Sequence, residues 1–161
     1  MPSLPEFLTS SPFIGEGKIL IEREVWQKII PHRQRDTAAP EAGGILLGYR
    51  RGEHLHVIDA TLPQAEDHSS RFRFTRAKQP HQDIALARWE ESSGTIDYLG
   101  DWHTHPEGNP SPSGLDASEW RKIYLLRAVP MLFIILGRSS GVWIGVGSGV
   151  WLKGTNYEYP A

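Results

Sequence analysis

The segment Glu41-Ala-Gly-Gly-Ile-Leu-Leu-Gly48 gives the first clear indication of how this chain folds. Residues 44–49 (GILLGY) form an apolar run bordered by glycine, which predicts a buried strand. Residues 55–60 follow as the expected hairpin partner. The three small residues after Glu41 allow another backbone segment to approach closely. Glu41 is therefore predicted to lie at the mouth of a buried strand, beside a second element.

The elements on either side of this strand follow two hydrophobic periods. Period-two or continuous apolar patterns predict strands at residues 18–21, 71–74, 96–104, 131–136, 142–146 and 150–153. Helical patterns are found at residues 23–30, 79–91 and 117–127, and the polar stretch 63–70 is predicted to be a loop. Trp102, Trp143 and Trp151 are predicted to pack in the core. Strands with helices inserted between them predict an α/β fold, in which helices pack on a mixed β-sheet.

Length and composition limit the class of protein. The 161 residues fit one domain: residues 1–15, with three prolines, are expected to be an irregular lead-in to a domain at 16–161. A net charge of -2 gives no reason to expect nucleic acid or an anionic membrane surface as the partner. No apolar run approaches the ~20 residues that span a bilayer. The absence of cysteine excludes thiolate ligands and cysteine nucleophiles, and it fits a cytoplasmic protein.

A pair of histidines lies at the end of the predicted strand 96–104. Alternate residues of a strand point to the same face, so His103 and His105 can reach one ion, and Pro106 then ends the strand. A short loop could bring Asp116, near the start of the next predicted helix, beside them. Two histidines and one carboxylate form a ligand set for catalytic zinc (Zn²⁺) that leaves the fourth position to an activated water.

Two more residues complete the predicted chemistry. Glu41 could take a proton from that water and pass it to a leaving amine, and Ser113 could hold the water or donate to a tetrahedral oxyanion. Ser113 and Asp116 also match a helix-capping pair, and the two roles are compatible. A second histidine pair at the same spacing, His54 and His56, is predicted to be structural because nothing downstream completes a site around it.

The whole pattern resembles the signature of the JAMM (MPN-plus, Mov34/PAD-1) zinc metalloproteases. It consists of Glu41 in EAGGILLG, followed later by His103-Thr-His105-Pro106. Seven residues then separate His105 from Ser113, and two residues separate Ser113 from Asp116. The resemblance implies a cytidine-deaminase-like MPN domain that uses one Zn²⁺ to hydrolyse peptide or isopeptide bonds after the tail of a ubiquitin-like protein. It also implies that His103, His105 and Asp116 are zinc ligands, that Glu41 is the acid/base, and that Ser113 orients the oxyanion or water.

In its small size, the chain resembles the bacterial members of the JAMM family, above all the peptidases of CBASS antiphage operons and of integrative elements. There, a ubiquitin-like transfer apparatus joins the C-terminus of a cGAS-like nucleotidyltransferase to a target amine, and the JAMM peptidase removes it. Such a resemblance implies activating- and conjugating-enzyme-like partners. Processing of a sulfur-carrier or another bacterial ubiquitin-like protein is an alternative. An alternative of another class is a non-catalytic MPN scaffold with a structural metal.

The substrate would enter as an extended tail, and such tails bind by adding a strand to the edge of a sheet. The edge predicted to receive it is the segment 58–75. In this hypothesis Glu66 or Asp67 faces a basic side chain of the tail, and Phe72 and Phe74 also contact the substrate. The alternative is a solvated loop with no role in binding.

Overall fold

The structure is a computed structural model that describes residues 7–10, 17–36, 38–64, 67–70, 73–75 and 78–159. Its strands are β1 (Phe7–Ser10), β2 (Lys18–Ile21), β3 (Gly43–Arg51), β4 (His54–Ala60), β5 (His68–Ser70), β6 (Arg73–Thr75), β7 (Asp97–Thr104), β8 (Met131–Leu136), β9 (Gly141–Ser148) and β10 (Trp151–Glu158). Its α-helices are α1 (Arg23–Ile29), α2 (Lys78–Glu91) and α3 (Gly114–Arg127), and a 3₁₀ turn (Ile30–His32) continues α1. None of the described helices is long and apolar enough to cross a membrane.

Within the described residues, eight strands form one sheet in the order β1-β2-β4-β3-β7-β8-β9-β10, and β5 pairs with β6 in a separate hairpin. The pairs β2–β4 and β7–β8 are parallel and the other neighbours are antiparallel. The helices pack on this mixed sheet, which confirms the predicted α/β class. The hairpin between β3 and β4 is also confirmed.

Both faces of the sheet are covered, and β8 shows how one strand serves both. Leu132, Ile134 and Leu136 point into a core that includes Val25 and Trp26 of α1. The alternate residues of β8 point the other way, and they pack under α3 in a second cluster made of Trp120, Tyr124, Met131, Phe133, Ile135 and Trp143. Because successive side chains of a strand alternate in direction, a strand covered on both faces is apolar throughout. The continuous run MLFIIL is the consequence.

The expectation that residues 1–15 are irregular is wrong for Phe7–Ser10. These four residues pair antiparallel with β2, from Phe7 opposite Ile21 to Ser10 opposite Lys18. The ring of Phe7 meets the edge of Trp26 and of Tyr157, with ring centres 5.9 and 4.9 Å apart. Backbone pairing and aromatic packing thus make a strand in a stretch whose prolines suggested none. Residues 1–6 and 11–15 lie outside the described residues.

Two further expectations need correction. The stretch 63–70 is not a loop throughout, because His68–Ser70 pair with Arg73–Thr75 as β5 and β6. Trp102 and Trp143 are buried as predicted, but Trp151 is 65% exposed. It begins β10, the last strand of the sheet that the described residues form. Side chains of such an edge strand have fewer neighbours than those of a central strand, so the indole of Trp151 is exposed to solvent.

Gly44 at the start of β3 allows the backbone of the segment after β4 to approach closely. A Cβ atom on Gly44 would lie 2.2 Å from the carbonyl oxygen of Thr61. The N–H of Thr61 also donates to the carbonyl of Ile45 at 2.9 Å. The segment that follows β4 therefore lies directly against the start of β3, next to Glu41. This is the close approach that the small residues after Glu41 predicted.

Candidate metal centre

The two histidines lie where β7 leaves the sheet. His103 is opposite Gly43 of β3 and Ile135 of β8, and the N–H of His105 donates to the carbonyl of Leu136 at 2.9 Å. Both histidines are buried, with 8 and 6% of their surface exposed. Because they lie two residues apart on one face, their Nε2 atoms come within 3.0 Å of each other.

Asp116 reaches this pair from the first turn of α3. Ser113 is the N-cap residue: its Oγ accepts the N–H of Asp116 at 3.0 Å, and Oδ2 of Asp116 accepts the N–H of Ser113 at 2.9 Å. The same Oδ2 lies 3.3 Å from Nε2 of His103 and 3.1 Å from Nε2 of His105. The capping pair and the predicted ligand group are therefore the same structure. The cap holds the Asp116 side chain in place.

The three side chains form a group that could hold a metal ion. Ligand atoms of one tetrahedral zinc are roughly 3.3 Å apart, given bond lengths of about 2.0–2.2 Å. The three separations here, 3.0, 3.1 and 3.3 Å, are close to that value. Two imidazole lone pairs facing each other at such a distance repel unless a proton or a cation lies between them. The donor set and its spacing therefore fit zinc.

The charges of the group favour a cation. Burial opposes ionisation of Asp116, but hydrogen bonds from His103 and His105 outweigh it and lower the pKa of the carboxyl far below its ordinary value. Burial also opposes protonation of His105, yet Asp116, followed by Glu41 and Glu107, raises the pKa of its imidazole. The site thus keeps a carboxylate ionised inside the protein and surrounds the imidazoles with negative charge. A bound cation would neutralise that charge.

Glu41 lies just outside the ligand group. Its side chain is buried, and Oε1 is 3.7 Å from Nε2 of His105. The N–H of Ala42 donates to Oγ1 of Thr104, the N–H of Thr104 donates to the carbonyl of Ala42, and both distances are 2.9 Å. The hydroxyl of Thr104 in turn donates to Oε1 of Gln34 at 2.9 Å. These supports of Glu41 were missed from the sequence, because neither Thr104 nor Gln34 belongs to a recognisable local motif.

A family model for prokaryotic homologues of the JAB domain matches residues 22–146. This range contains Glu41, both site histidines, Ser113 and Asp116. The chain belongs to this family. The resemblance inferred from the sequence pattern is thereby confirmed at the level of the family.

Similar proteins agree with the assignment to the JAB family. The chain is 49% identical over 111 residues to the "CD-NTase/cGAS isopeptidase" of Pseudomonas aeruginosa, which covers 68% of this chain and 70% of that one. A protein of the same name from Vibrio cholerae is 39% identical and covers 79% and 80% of the two chains. The solution structure of protein DSY2949 from Desulfitobacterium hafniense has a TM-score of 0.57 at 18% identity, with 83% and 87% covered. This last likeness shows the fold alone.

The second histidine pair of the JAB domain makes contacts within the fold, in agreement with the structural role expected for it. Nδ1 of His54 accepts the N–H of Lys18 at 2.9 Å, and Nε2 of His56 lies 2.8 Å from Oε1 of Glu22. These contacts tie β4 to β2 and to the residue before α1. The two side chains therefore face different partners, although their spacing in the chain equals that of the site histidines.

A groove of about 1120 Å³ runs from the candidate metal centre between α2 and α3. Ile45 of β3 and Asp101 of β7 line it between the two helices. The large apolar side chains along it are unusually exposed for their type: Leu86 and Trp89 on α2, and Leu115 and Leu126 on α3, are 53, 46, 46 and 88% exposed. Exposed apolar side chains that line a groove next to a candidate metal centre are typical of a ligand site.

Of the four residues predicted to bind substrate, the structure describes the side chain of Asp67 alone. The carboxylate of Asp67 is 3% exposed and lies 3.0 Å from Nε2 of His81, so it is not available to a substrate side chain as predicted. Glu66 and Phe72 lie outside the described residues. For Phe74 only the backbone is described, in β6. Binding of a tail by this segment stays a prediction.

The buried partner of Asp67 belongs to a network that the sequence did not reveal. Nδ1 of His81 lies 2.7 Å from Oγ1 of Thr61, which accepts the N–H of Ile45 at 2.9 Å. The carbonyl of Thr61 accepts the indole N–H of Trp102, also at 2.9 Å. His81 thus links the segment after β4 to the start of α2. Asp67 has a structural role in this network, because leaving a buried carboxylate unpaired is costly.

Proposed function

We propose that this JAB domain is a zinc-dependent isopeptidase, which hydrolyses the bond after the C-terminal tail of a conjugated cGAS-like nucleotidyltransferase in bacterial antiphage defence. The observation that carries the proposal is the convergence of His103, His105 and Asp116 with Glu41 beside them. The names of the relatives support the substrate, since both are called CD-NTase/cGAS isopeptidases. A cytoplasmic location and operon partners that form the conjugate belong to the same proposal.

The metal, when bound, would polarise the scissile carbonyl and lower the pKa of a water. Glu41 is buried and lies within 3.7 Å of a ligand atom, which suits it to take a proton from the attacking water. It then gives that proton to the departing lysine nitrogen as the carbon–nitrogen bond breaks. The water oxygen and its second proton stay on the new carboxyl group, which loses this proton to solvent, and the lysine leaves as an amine.

Ser113 is suited to stabilise the oxyanion. Its oxygen already accepts the N–H of Asp116, which fixes the position of the hydroxyl at the rim of the site. A hydroxyl that accepts a hydrogen bond still has its own hydrogen to donate. Donation of this hydrogen to the developing negative charge would lower the barrier, because the donor is already in position before the reaction.

The substrate tail would reach these residues through the groove between α2 and α3. Its exposed apolar walls would lose contact with water against the apolar side chains of a tail. Strand β7 spans the groove from Asp97 to the site histidines. At about 3.3 Å per residue, this is room for about six residues of an extended peptide. The tail is thus proposed to contact the enzyme over several residues before the scissile bond.

The decisive experiment combines zinc content with cleavage. The substrate is a nucleotidyltransferase whose C-terminal tail is joined to a lysine amine. Glu41→Gln is expected to keep zinc and lower kcat by about 10²–10⁴-fold, because the amide cannot carry the proton. A matched control is Glu53→Gln, which changes an exposed carboxylate in the turn between β3 and β4, away from the groove. Normal cleavage by the Glu41 variant, or cleavage that persists in a strong chelator, would contradict the proposal.

A further inference from the structure

The ring nitrogen of His105 that faces away from the ligand group has an unusual environment. Nε2 is the atom directed at Asp116 and His103, so Nδ1 carries the hydrogen if Nε2 is to bind a metal. Nδ1 is buried, and within the described residues it has no hydrogen-bond partner. Oε1 of Glu107 lies 3.3 Å from it. A small rotation of this half-exposed side chain would align the carboxylate with the N–H.

The backbone of Glu107 is firmly held, which makes the contact more than a chance approach of a surface side chain. The N–H of Arg138 donates to the carbonyl of Glu107 at 2.8 Å. A Cβ atom on Gly137 would lie 2.8 Å from that same carbonyl oxygen, so the turn after β8 packs tightly on it. The loop that carries Glu107 is therefore fixed next to the metal centre.

The turn that holds Glu107 is itself braced from inside the protein. The guanidinium of Arg33 is 4% exposed and donates to the carbonyls of Gly137 and Gly141 at 3.1 and 3.2 Å. The N–H of Gly137 donates to the carbonyl of Gly141 at 2.8 Å, which closes the turn. The buried guanidinium of Arg33 thus holds the turn after β8. This turn packs on the loop that carries Glu107, and the loop places the Glu107 carboxylate beside His105.

We infer that Glu107 is a positioning residue for the metal: its carboxylate accepts the Nδ1 hydrogen of His105 and directs the lone pair of Nε2 at the ion. Metal-binding histidines almost always donate their other N–H to such an acceptor, which fixes the tautomer and the orientation of the ring. The inference rests on the proposed zinc site. It does not depend on which substrate the enzyme cleaves. It assigns Glu107 no contact with the reacting atoms.

The test measures metal affinity, which is independent of cleavage. Glu107→Ala is expected to weaken zinc binding about 10–100-fold in a chelator competition. Glu107→Gln is expected to lose less, because its amide oxygen can still accept the Nδ1 hydrogen. Glu119→Ala is the matched control: Glu119 is a glutamate of similar exposure in the same groove, 56% against 51%, that pairs with Lys122. Equal zinc affinity of the Glu107→Ala and Glu119→Ala proteins would overturn the inference.

A second readout uses the zinc-loaded protein. Nitrogen-15 NMR of the His105 ring is expected to show an Nδ1 hydrogen that exchanges slowly with water in the wild type, because Glu107 accepts it, and one that exchanges faster in Glu107→Ala. Equal exchange rates in the two proteins would also overturn the inference. Thermal unfolding of both zinc-loaded proteins checks that the variant is folded. If the wild type binds zinc but cleaves no conjugate, the proposed substrate is wrong while the role of Glu107 is still tested by affinity and hydrogen exchange.

Discussion

Thr104 and Ala42 are joined by two hydrogen bonds of 2.9 Å, one from each backbone N–H. The residue before Ala42 is the proposed acid/base, and the residues on either side of Thr104 are the two site histidines. The distance between Glu41 and the two histidines is therefore set by the residues beside them in the chain. A change in this pair should affect catalysis even though neither residue belongs to the proposed ligand set or is the proposed acid/base.

Thr104→Val should test this coupling. Valine fills the space of threonine but leaves the N–H of Ala42 and the amide of Gln34 without the Thr104 hydroxyl. We expect the free energy of unfolding to fall by about 1–3 kcal/mol, because two hydrogen bonds in and next to the core are lost. We also expect kcat to fall while zinc content is kept. Thr104→Ser retains the hydroxyl and should restore both properties; a serine variant as impaired as the valine one would contradict the explanation.

Ser113 combines a cap with a proposed catalytic donor, and two substitutions separate these roles. Ser113→Ala removes both the cap and the donor. It should lower the free energy of unfolding by about 1 kcal/mol and kcat by about 10²–10³-fold. Ser113→Asp keeps a capping oxygen but has no hydrogen to donate when ionised, so stability should recover and kcat should not. Recovery of cleavage with aspartate would show that Ser113 acts only as a cap.

Asp59 should make stability depend on pH. Burial alone would raise its pKa, but hydrogen bonds from Lys28, the N–H of Ala60 and Arg88 outweigh this and lower it. A lowered pKa in the folded protein means that the contribution is complete above the unfolded-state value of 3.8 and is lost as the pH falls below it. Asp59→Asn should therefore cost about 1–2 kcal/mol at pH 7 and progressively less below pH 4 in urea unfolding.

The control for Asp59 is Glu119→Gln, which breaks an exposed pair with Lys122. Such pairs contribute only about 0.2–0.5 kcal/mol, so this variant should change little at either pH. If the cost of Asp59→Asn were the same at pH 7 and at pH 3, the effect would come from shape and not from charge.

The grouping of the three proposed metal ligands could be predicted from the sequence because each of them depends on local structure. The spacing of His103 and His105 uses the period of a strand, and Ser113 with Asp116 forms a cap within four residues. Glu41 is different: its distance to the histidines depends on pairing between β3 and β7. Only the resemblance to a known family linked Glu41 to the two histidines and gave it the role of acid/base.

The errors arose where distant residues determine the outcome. Asp67 in a polar stretch looked solvated, but His81, 14 residues further on, buries its carboxylate. Thr104 and Gln34 meet across 70 residues, and no local pattern marks either one. Phe7–Ser10 form a strand because β2 offers an unpaired edge. Local propensity contains no information about such partners, since tertiary packing supplies them.

Leu126 offers the most direct test of the groove as the path of the substrate. At 88% exposure, it is a large apolar side chain facing solvent near the end of α3. Leu126→Glu should leave folding and zinc content nearly unchanged, because substitutions at exposed sites usually alter stability by less than 0.5 kcal/mol. It should raise KM about tenfold with little change in kcat, since a charge replaces an apolar contact worth about 1.4 kcal/mol or more.

The control for Leu126 is Trp151→Glu, which places the same charge on an exposed apolar residue of the edge strand β10. Its KM should equal that of the wild type. If both variants raised KM equally, the effect would come from net charge and the groove would not be the path of the tail. The readout can be sharpened by replacing apolar residues of the substrate tail with serine, one at a time. Substitutions at the tail residue that meets Leu126 should raise KM for the wild-type enzyme, but they should add little in Leu126→Glu, because contacting residues couple.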